Sequence, residues 1–150
     1  MNIASQAVMF GKASDEWRTP QDFFEALDAE FGFDLDVAAT AENCWKENYL
    51  GPDHPDLLCR NGLVGPWRAM NWCNPPYSRA SAFLAKAAAE ARAGRTSVLL
   101  IPSRTDTRMW HDRVWDAEKH CPRPGIEIRF VKGRLKFGGS ENSAPFPSVV

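Results

Sequence analysis

The chain has 150 residues, of which 44% are hydrophobic and 25% charged, and its formal net charge is -1 at pH 7. This length fits a single domain with one core, and the sequence has neither a long apolar run nor a signal-peptide core. The chain also lacks the basic excess typical of nucleic-acid-binding domains, so any basic surface must be local. We therefore expect a cytoplasmic protein without a membrane partner.

The four cysteines argue against a metal site. Cys44, Cys59, Cys73 and Cys121 form no CxxC pair, and no histidine stands at ligand spacing from them. Structural zinc sites usually show such pairs. We expect free thiols and no bound metal.

The first part of the chain predicts an arm followed by a helix. Residues 1–14 show no clear periodicity and are expected to form a flexible arm, with one domain over residues 15–150. Thr19 is predicted to be the N-cap of a helix, with Pro20 at its first position. Gly32 suits the end of that helix. Apolar residues recur at intervals of four at Phe23, Leu27 and Phe31.

The middle of the chain alternates strands with a helix. Strands are predicted over residues 33–38, 69–73 and 96–101, and an alanine-rich helix over residues 79–93. This alternation is typical of an α/β fold, with a mostly parallel twisted sheet and helices on both faces.

The C-terminal part predicts a further helix and a β-hairpin. The helix is expected over residues 105–118, and the hairpin strands over residues 126–131 and 134–137. Residues 148–150 look like the opening of a last strand. That short strand would leave an incomplete sheet edge, which a second subunit could cover, so a dimer is one expectation and the oligomeric state is open.

Three loops follow predicted strands and should meet in one cleft, because the carboxyl ends of parallel strands share an edge of the sheet. They cover residues 35–39, 74–77 and 102–106. Asp36 ends an otherwise apolar strand, where a carboxylate needs hydrogen bonds or a cation to offset desolvation. It could also simply cap the next turn.

The second loop reads Asn-Pro-Pro-Tyr, and it resembles the catalytic motif of amino-group methyltransferases that use S-adenosylmethionine, the adenine-specific DNA enzymes in particular. An aromatic amine is a poor nucleophile because its lone pair is delocalised. The Asn74 side-chain oxygen and the Pro75 carbonyl could accept both of its N–H groups, held rigidly by Pro75 and Pro76. Tyr77 offers a ring on which a flipped base can stack. The alternative is a plain turn that ends the strand.

Five separated segments, in order, resemble the phage-type DNA N-6-adenine methyltransferase family: DEWRTPQDFFEALDAEFGFDLDVAAT, the corner NPPY, LLIPSRTDTRMWH, GRLKFGG and APFPSVV. The resemblance implies a Rossmann-like methyltransferase fold, in a bacterial or phage-infected cell. It also implies that S-adenosylmethionine is the cofactor and double-stranded DNA the partner. The residues assigned on this basis to the cofactor are Trp17, Thr19, Pro20, Asp36, Ala38 and Asn74.

Two departures from that family pattern concern the cofactor. The loop after Asp36 lacks the glycines that let a backbone pass close to a ligand. Residues 61–63 read Asn-Gly-Leu where the family pattern has Asp-Gly-Leu. Three acids remain as alternatives for binding the ribose: Glu42, Asp53 and Asp56.

Four basic residues are predicted to contact DNA phosphates despite the net charge. Arg104 and Arg108 follow the strand nearest the cleft, and Arg134 and Lys136 belong to a basic C-terminal stretch. The alternative for this stretch is a solvated hairpin.

The leading hypothesis is therefore an adenine-specific DNA methyltransferase that acts on a flipped-out adenine. An enzyme of the same class could act instead on RNA adenine or on a glutamine side-chain amide in protein. A catalytically silent DNA-binding remnant is the third alternative.

Overall fold

The computed structural model describes residues 18–138 and 143–150. The predicted arm and Trp17 lie outside the described residues. Helix α1 spans Gln21–Phe31, α2 spans Ala80–Arg92 and α3 spans Arg108–Arg113. Short 3-10 helices cover Leu57–Cys59 and Tyr77–Arg79.

The strands are short, and the first three form a parallel sheet in the order β1, β2, β3. Leu35 of β1 lies opposite Asn71 of β2, and Trp72 of β2 lies opposite Val98 of β3. The expected α/β class and parallel sheet are confirmed. The strands, in chain order, are β1 Leu35–Asp36, β2 Met70–Cys73, β3 Thr96–Leu99, β4 Ile101–Pro102, β5 Trp115–Asp116, β6 Cys121–Pro122 and β7 Ser148–Val149.

Backbone hydrogen bonds add further segments beside both outer strands of this sheet. On the outer side of β1, Tyr49 forms a parallel bridge with Asp36, and the Leu50 N–H donates to the Asp36 carbonyl over 2.8 Å. On the other side, β4 pairs antiparallel with β7. Beyond β7, the Arg129 N–H donates to the Val150 carbonyl over 2.7 Å. β1 is therefore an inner strand, with residues 48–50 on one side and β2 on the other.

Helices α1 and α2 pack on opposite faces of the sheet. Successive strand side chains point to opposite faces, so Trp72 and Cys73 enter different clusters. Trp72 packs with Phe24 of α1, and Cys73 packs with Phe83 of α2. No helix in the described part of the chain is long and apolar enough to cross a membrane.

The predicted helix over residues 105–118 is wrong in extent. Thr107 accepts a hydrogen bond from the Trp110 N–H and so moves the start of α3 to Arg108. The helix ends at Arg113, because the chain then enters β5, which pairs antiparallel with β6. Val114 and Trp115, which would continue the apolar side of such a helix, are residue types that also favour strands.

The predicted C-terminal hairpin is also wrong. Within residues 18–138 and 143–150, the segment 126–131 pairs with the chain end, because Val131 N–H donates to the Ser148 carbonyl and Phe130 bridges Val149. The chain end thus has neighbours on both sides, β4 and residues 129–131. It is not the open sheet edge that we expected, so that argument for a dimer no longer holds.

Candidate functional site

A cleft of about 620 Å³ opens where β1 and β2 end. Residues 48–50, which follow β1 in the chain, lie along one edge of β1, whereas the next strand, β2, lies along its other edge. The order of segments in the sheet therefore reverses at β1. In open α/β sheets, ligands bind at such a reversal of strand order. The predicted site residues that line the cleft are Thr19, Asp36, Ala38, Asn74 and Pro76.

Asp36 places a buried carboxylate in the cleft wall. Its side chain is 3% exposed, and burial raises the pKa of the carboxyl to about 6. Backbone N–H groups of Trp45 and Ala38 donate to its two oxygens over 3.1 and 3.4 Å. The second bond closes the turn after β1, so Asp36 does cap that turn while it also faces the cleft.

Two glycines press against the loop that follows Asp36. A Cβ on Gly51 would lie 1.6 Å from the Ala39 carbonyl oxygen, and one on Gly62 would lie 1.9 Å from the Val37 carbonyl oxygen. Each glycine thus lets its own segment lie directly against a backbone carbonyl of this loop, which a side chain would prevent. In the sequence, Gly51 belongs to a broken polar region and Gly62 to the Asn-Gly-Leu stretch, and neither setting signals what the glycine would contact.

The three acids that could bind the ribose hydroxyls lie in different surroundings. Glu42 lines the cleft. Asp53 Oδ2 instead accepts from the Ala41 N–H over 2.9 Å, and Asp56 Oδ1 accepts from the Leu58 N–H over 2.9 Å as the cap of a 3-10 helix. Of these three, only Glu42 is on the cleft wall.

Asn74 follows β2 directly, and its side chain contacts the segment before α1. The Asn74 amide nitrogen donates to Thr19 Oγ1 over 3.1 Å. Thr19 is not the N-cap that we predicted, because α1 begins at Gln21 with Pro20 in the N-cap position and without a side-chain cap. Its hydroxyl oxygen instead accepts the hydrogen bond from Asn74, and Thr19 itself is only 2% exposed.

The rest of the corner is packed beneath the cleft or beside it. Pro75 is fully buried, and Pro76 leads into the 3-10 helix that begins at Tyr77. The Tyr77 ring meets Phe146 edge to face, with centroids 5.0 Å apart. Its hydroxyl oxygen is buried without a hydrogen-bond partner, and burial raises the Tyr77 pKa. Pro20, Pro75 and Tyr77 are not among the residues that line the cleft.

The predicted phosphate-binding residues are spread over different surroundings. Arg104 is exposed, with its guanidinium 5.9 Å from the centroid of Phe146. Arg108 forms a surface ion pair with Asp112, whereas Arg134 donates to the Ala144 carbonyl. Lys136 is exposed.

Sequence reasoning missed three arginines on the cleft wall: Arg18, Arg60 and Arg79. Arg79 directly follows the corner, and Arg18 directly precedes Thr19, so their neighbours in sequence were the available signal. No group of side chains suited to a metal ion occurs among residues 18–138 and 143–150.

Comparison with known proteins identifies one family and two relatives. The model of the family described as DNA N-6-adenine-methyltransferase (Dam) matches residues 7–147. A DNA N-6-adenine-methyltransferase of Haemophilus phage HP1 (strain HP1c1) is 27% identical over 131 residues, covering 85% of this chain and 68% of the phage protein. One from Escherichia phage T1 is 30% identical over 97 residues, covering 62% of this chain and 38% of that protein. No solved structure matches.

Proposed function

This chain belongs to the DNA N-6-adenine-methyltransferase (Dam) family, and from that premise we propose that its cleft brings S-adenosylmethionine together with an adenine flipped out of duplex DNA. The observation that carries the proposal is the cleft itself, which joins Asn74 of the proline corner and the buried Asp36. The reversal of strand order at β1 supports a Rossmann-like methyltransferase fold.

The cleft residues suit a cationic cofactor. When bound, S-adenosylmethionine would supply an electrophilic methyl group on its sulfonium sulfur. The amino nitrogen of adenine would bond to the methyl carbon as the carbon–sulfur bond breaks, with S-adenosylhomocysteine as the leaving group. A buried carboxylate is stabilised by a nearby cation, and the raised pKa of Asp36 shows that burial outweighs the two N–H groups that bind it. We assign the ribose hydroxyls to Glu42, the candidate acid that lines the cleft.

The corner is assigned to the adenine. The Asn74 side-chain oxygen and the Pro75 carbonyl accept the two N–H groups of the target amine, which favours its pyramidal, nucleophilic form. The prolines hold these acceptors in place, so that little reorganisation precedes the reaction. Tyr77 provides the ring beside the base. After transfer, the amine nitrogen releases a proton, and we assign no general base.

Duplex DNA would bind across the mouth of this cleft. Arg104 lies beside the Tyr77 and Phe146 pair, with its guanidinium 5.9 Å from the Phe146 ring centroid, and we assign it to a DNA phosphate next to the corner. Arg108, Arg134 and Lys136 add phosphate contacts further along the surface.

Methyl-transfer assays with tritiated S-adenosylmethionine test this function. The purified chain is offered unmethylated duplex DNA, RNA and a protein mixture in parallel. We expect incorporation into DNA. Incorporation into RNA or protein alone would favour the alternative substrates. Failure to bind S-adenosylmethionine in calorimetry, with DNA binding retained, would indicate a catalytically silent DNA-binding protein.

A further inference from the structure

The contact between Thr19 and Asn74 joins side chains 55 positions apart in sequence, and both residues line the cleft. We propose that Thr19 is a positioning residue: its hydroxyl holds the Asn74 amide so that the amide oxygen faces the amino group of the target base. This inference rests on the proposed function, and it gives Thr19 a role beyond the cofactor contact that the family resemblance implies.

The surroundings of Thr19 support a role directed at Asn74. A threonine before a helix usually caps the first turn, yet here α1 has no side-chain cap. The Thr19 side chain is buried, and a buried hydroxyl is costly to hold without a hydrogen bond. The bond to Asn74 supplies that partner. It therefore accounts for a hydroxyl at this position, where capping does not.

The Thr19 segment is also rigid enough to hold another side chain. Pro20 fixes its own φ at -59°, and its carbonyl accepts from the Phe24 N–H over 3.0 Å. Phe24 is in turn buried against Trp72 of β2, the strand that ends at the corner. Thr19, through α1, and Asn74, through β2, are thus attached to the same hydrophobic core.

The amide group of asparagine needs such an anchor. Its terminal torsion is broad and roughly two-fold, so rotation can exchange the oxygen and the nitrogen. Because the amide is planar, a bond from its nitrogen to Thr19 fixes its oxygen on the opposite side. A rotated amide would present a donor to the amine and would oppose the reaction instead of assisting it. Catalytic groups must be held by neighbours to within small tolerances.

The test compares Thr19→Val, which removes the hydroxyl at nearly constant shape, with Thr19→Ser, which keeps it. We expect Thr19→Val to lower kcat for DNA methylation by about 10- to 100-fold, with the Kd for S-adenosylmethionine little changed. Thr19→Ser should recover most of kcat. Thr96→Val, an exposed threonine at the far end of β3, is the matched control and should resemble the wild type.

Three outcomes would overturn the inference. One is a serine variant as slow as the valine variant, and another is an unchanged kcat in Thr19→Val. The third is a raised Kd for S-adenosylmethionine together with a loss of rate that saturating cofactor fully restores, which would make Thr19 only a cofactor contact.

A second measurement does not depend on activity. Thr19→Val, but not Thr96→Val, should shift the NMR resonances of the Asn74 side-chain amide and speed their exchange with water. Unmoved resonances in a folded Thr19→Val variant would overturn the inference even if the wild type methylated no DNA, an outcome that would refute the proposed function separately.

Discussion

Asp36 combines burial with a place on the cleft wall. The carboxyl keeps an acceptor contact with the Trp45 N–H at 3.1 Å, and a weaker one with the Ala38 N–H at 3.4 Å. These bonds offset only part of the desolvation, so the pKa of Asp36 lies near 6 in place of its ordinary 3.8. The ionised carboxylate therefore destabilises the folded chain at neutral pH, and a bound cation would offset that penalty.

The pH dependence of unfolding should reveal this penalty. Between the two pKa values of Asp36, 3.8 and about 6, the folded chain holds a proton that the unfolded chain releases. The free energy of unfolding contributed by this group therefore falls as the pH rises through that window. Asp36→Asn removes the titration, so its unfolding free energy relative to the wild type should rise by about 2.5 kcal/mol between about pH 4 and pH 8.

Urea unfolding of both proteins across this range measures the difference. The amide can keep its oxygen toward the Trp45 N–H and turn its nitrogen toward the weaker contact with Ala38. A difference between the two proteins that stays constant with pH would contradict the assigned burial of an ionisable Asp36.

At the scale of elements, the loop after β1 is fixed by segments that pack against its carbonyl groups. Gly51 and Gly62 meet the carbonyl oxygens of Ala39 and Val37 at distances that no side chain tolerates. The Trp67 indole N–H donates to the Gly62 carbonyl over 2.7 Å and holds the second glycine in place. The shape of the cleft wall thus depends on residues well beyond the loop.

Gly62→Ala should destabilise the fold and weaken cofactor binding together. Its Cβ would overlap the Val37 carbonyl oxygen, and overpacking of this kind typically costs about 1–3 kcal/mol or more. Thermal unfolding and calorimetry with S-adenosylmethionine measure both effects. Gly138→Ala is the control, because the nearest atoms to a Cβ there belong to the Arg18 side chain at 3.5 Å, an ordinary van der Waals distance. Equal stability of the two variants would show that residues 61–63 do not support the loop.

The elements that could be predicted from the sequence are those whose signals are local. The apolar repeat of α1, the alanine-rich sequence of α2 and the two prolines shortly after β2 are local signals, so these elements could be predicted without knowledge of distant residues. Segment 126–131 has an apparent partner nearby but pairs with the chain end instead. Pairing between remote segments has no local signature.

The site follows the same rule. Asp36 and Asn74 were predicted because Asp36 ends a strand and Asn74 directly follows one, and the structure places both on one cleft. The hydrogen bond between Thr19 and Asn74 could not be predicted, because the same threonine has an ordinary local role as a helix cap. The packing of Gly51 and Gly62 required the tertiary structure for the same reason.

At the scale of the whole molecule, some basic side chains already form ion pairs with acidic side chains of the protein, and others are exposed to solvent. Arg129 forms ion pairs with Glu30 and Glu127 at 2.8 and 2.6 Å, and these two acids raise its pKa. Arg104 is exposed and contacts the ring of Phe146. A molecule with a net charge of -1 can therefore present a local cation near the cleft.

Arg104→Ala should weaken DNA binding in a salt-dependent way. Loss of one phosphate contact lowers the slope of log affinity against log salt by about one. Fluorescence anisotropy with a labelled duplex over a salt series measures this slope. Arg129→Gln is the control and should leave the slope unchanged, because Glu30 and Glu127 already pair with that guanidinium. A slope that drops for Arg129→Gln and not for Arg104→Ala would contradict the proposed DNA-facing surface.

The most direct test of the central claim is the amount of N6-methyldeoxyadenosine formed in unmethylated duplex DNA. The DNA is incubated with S-adenosylmethionine and protein, digested to nucleosides and analysed by mass spectrometry. We predict product with the wild type and with Asn48→Ala, an exposed asparagine outside the cleft lining. Asn74→Ala should form roughly 100-fold less product or lower. Equal product from Asn74→Ala and the wild type, or no methylated adenine from the wild type, would contradict the account.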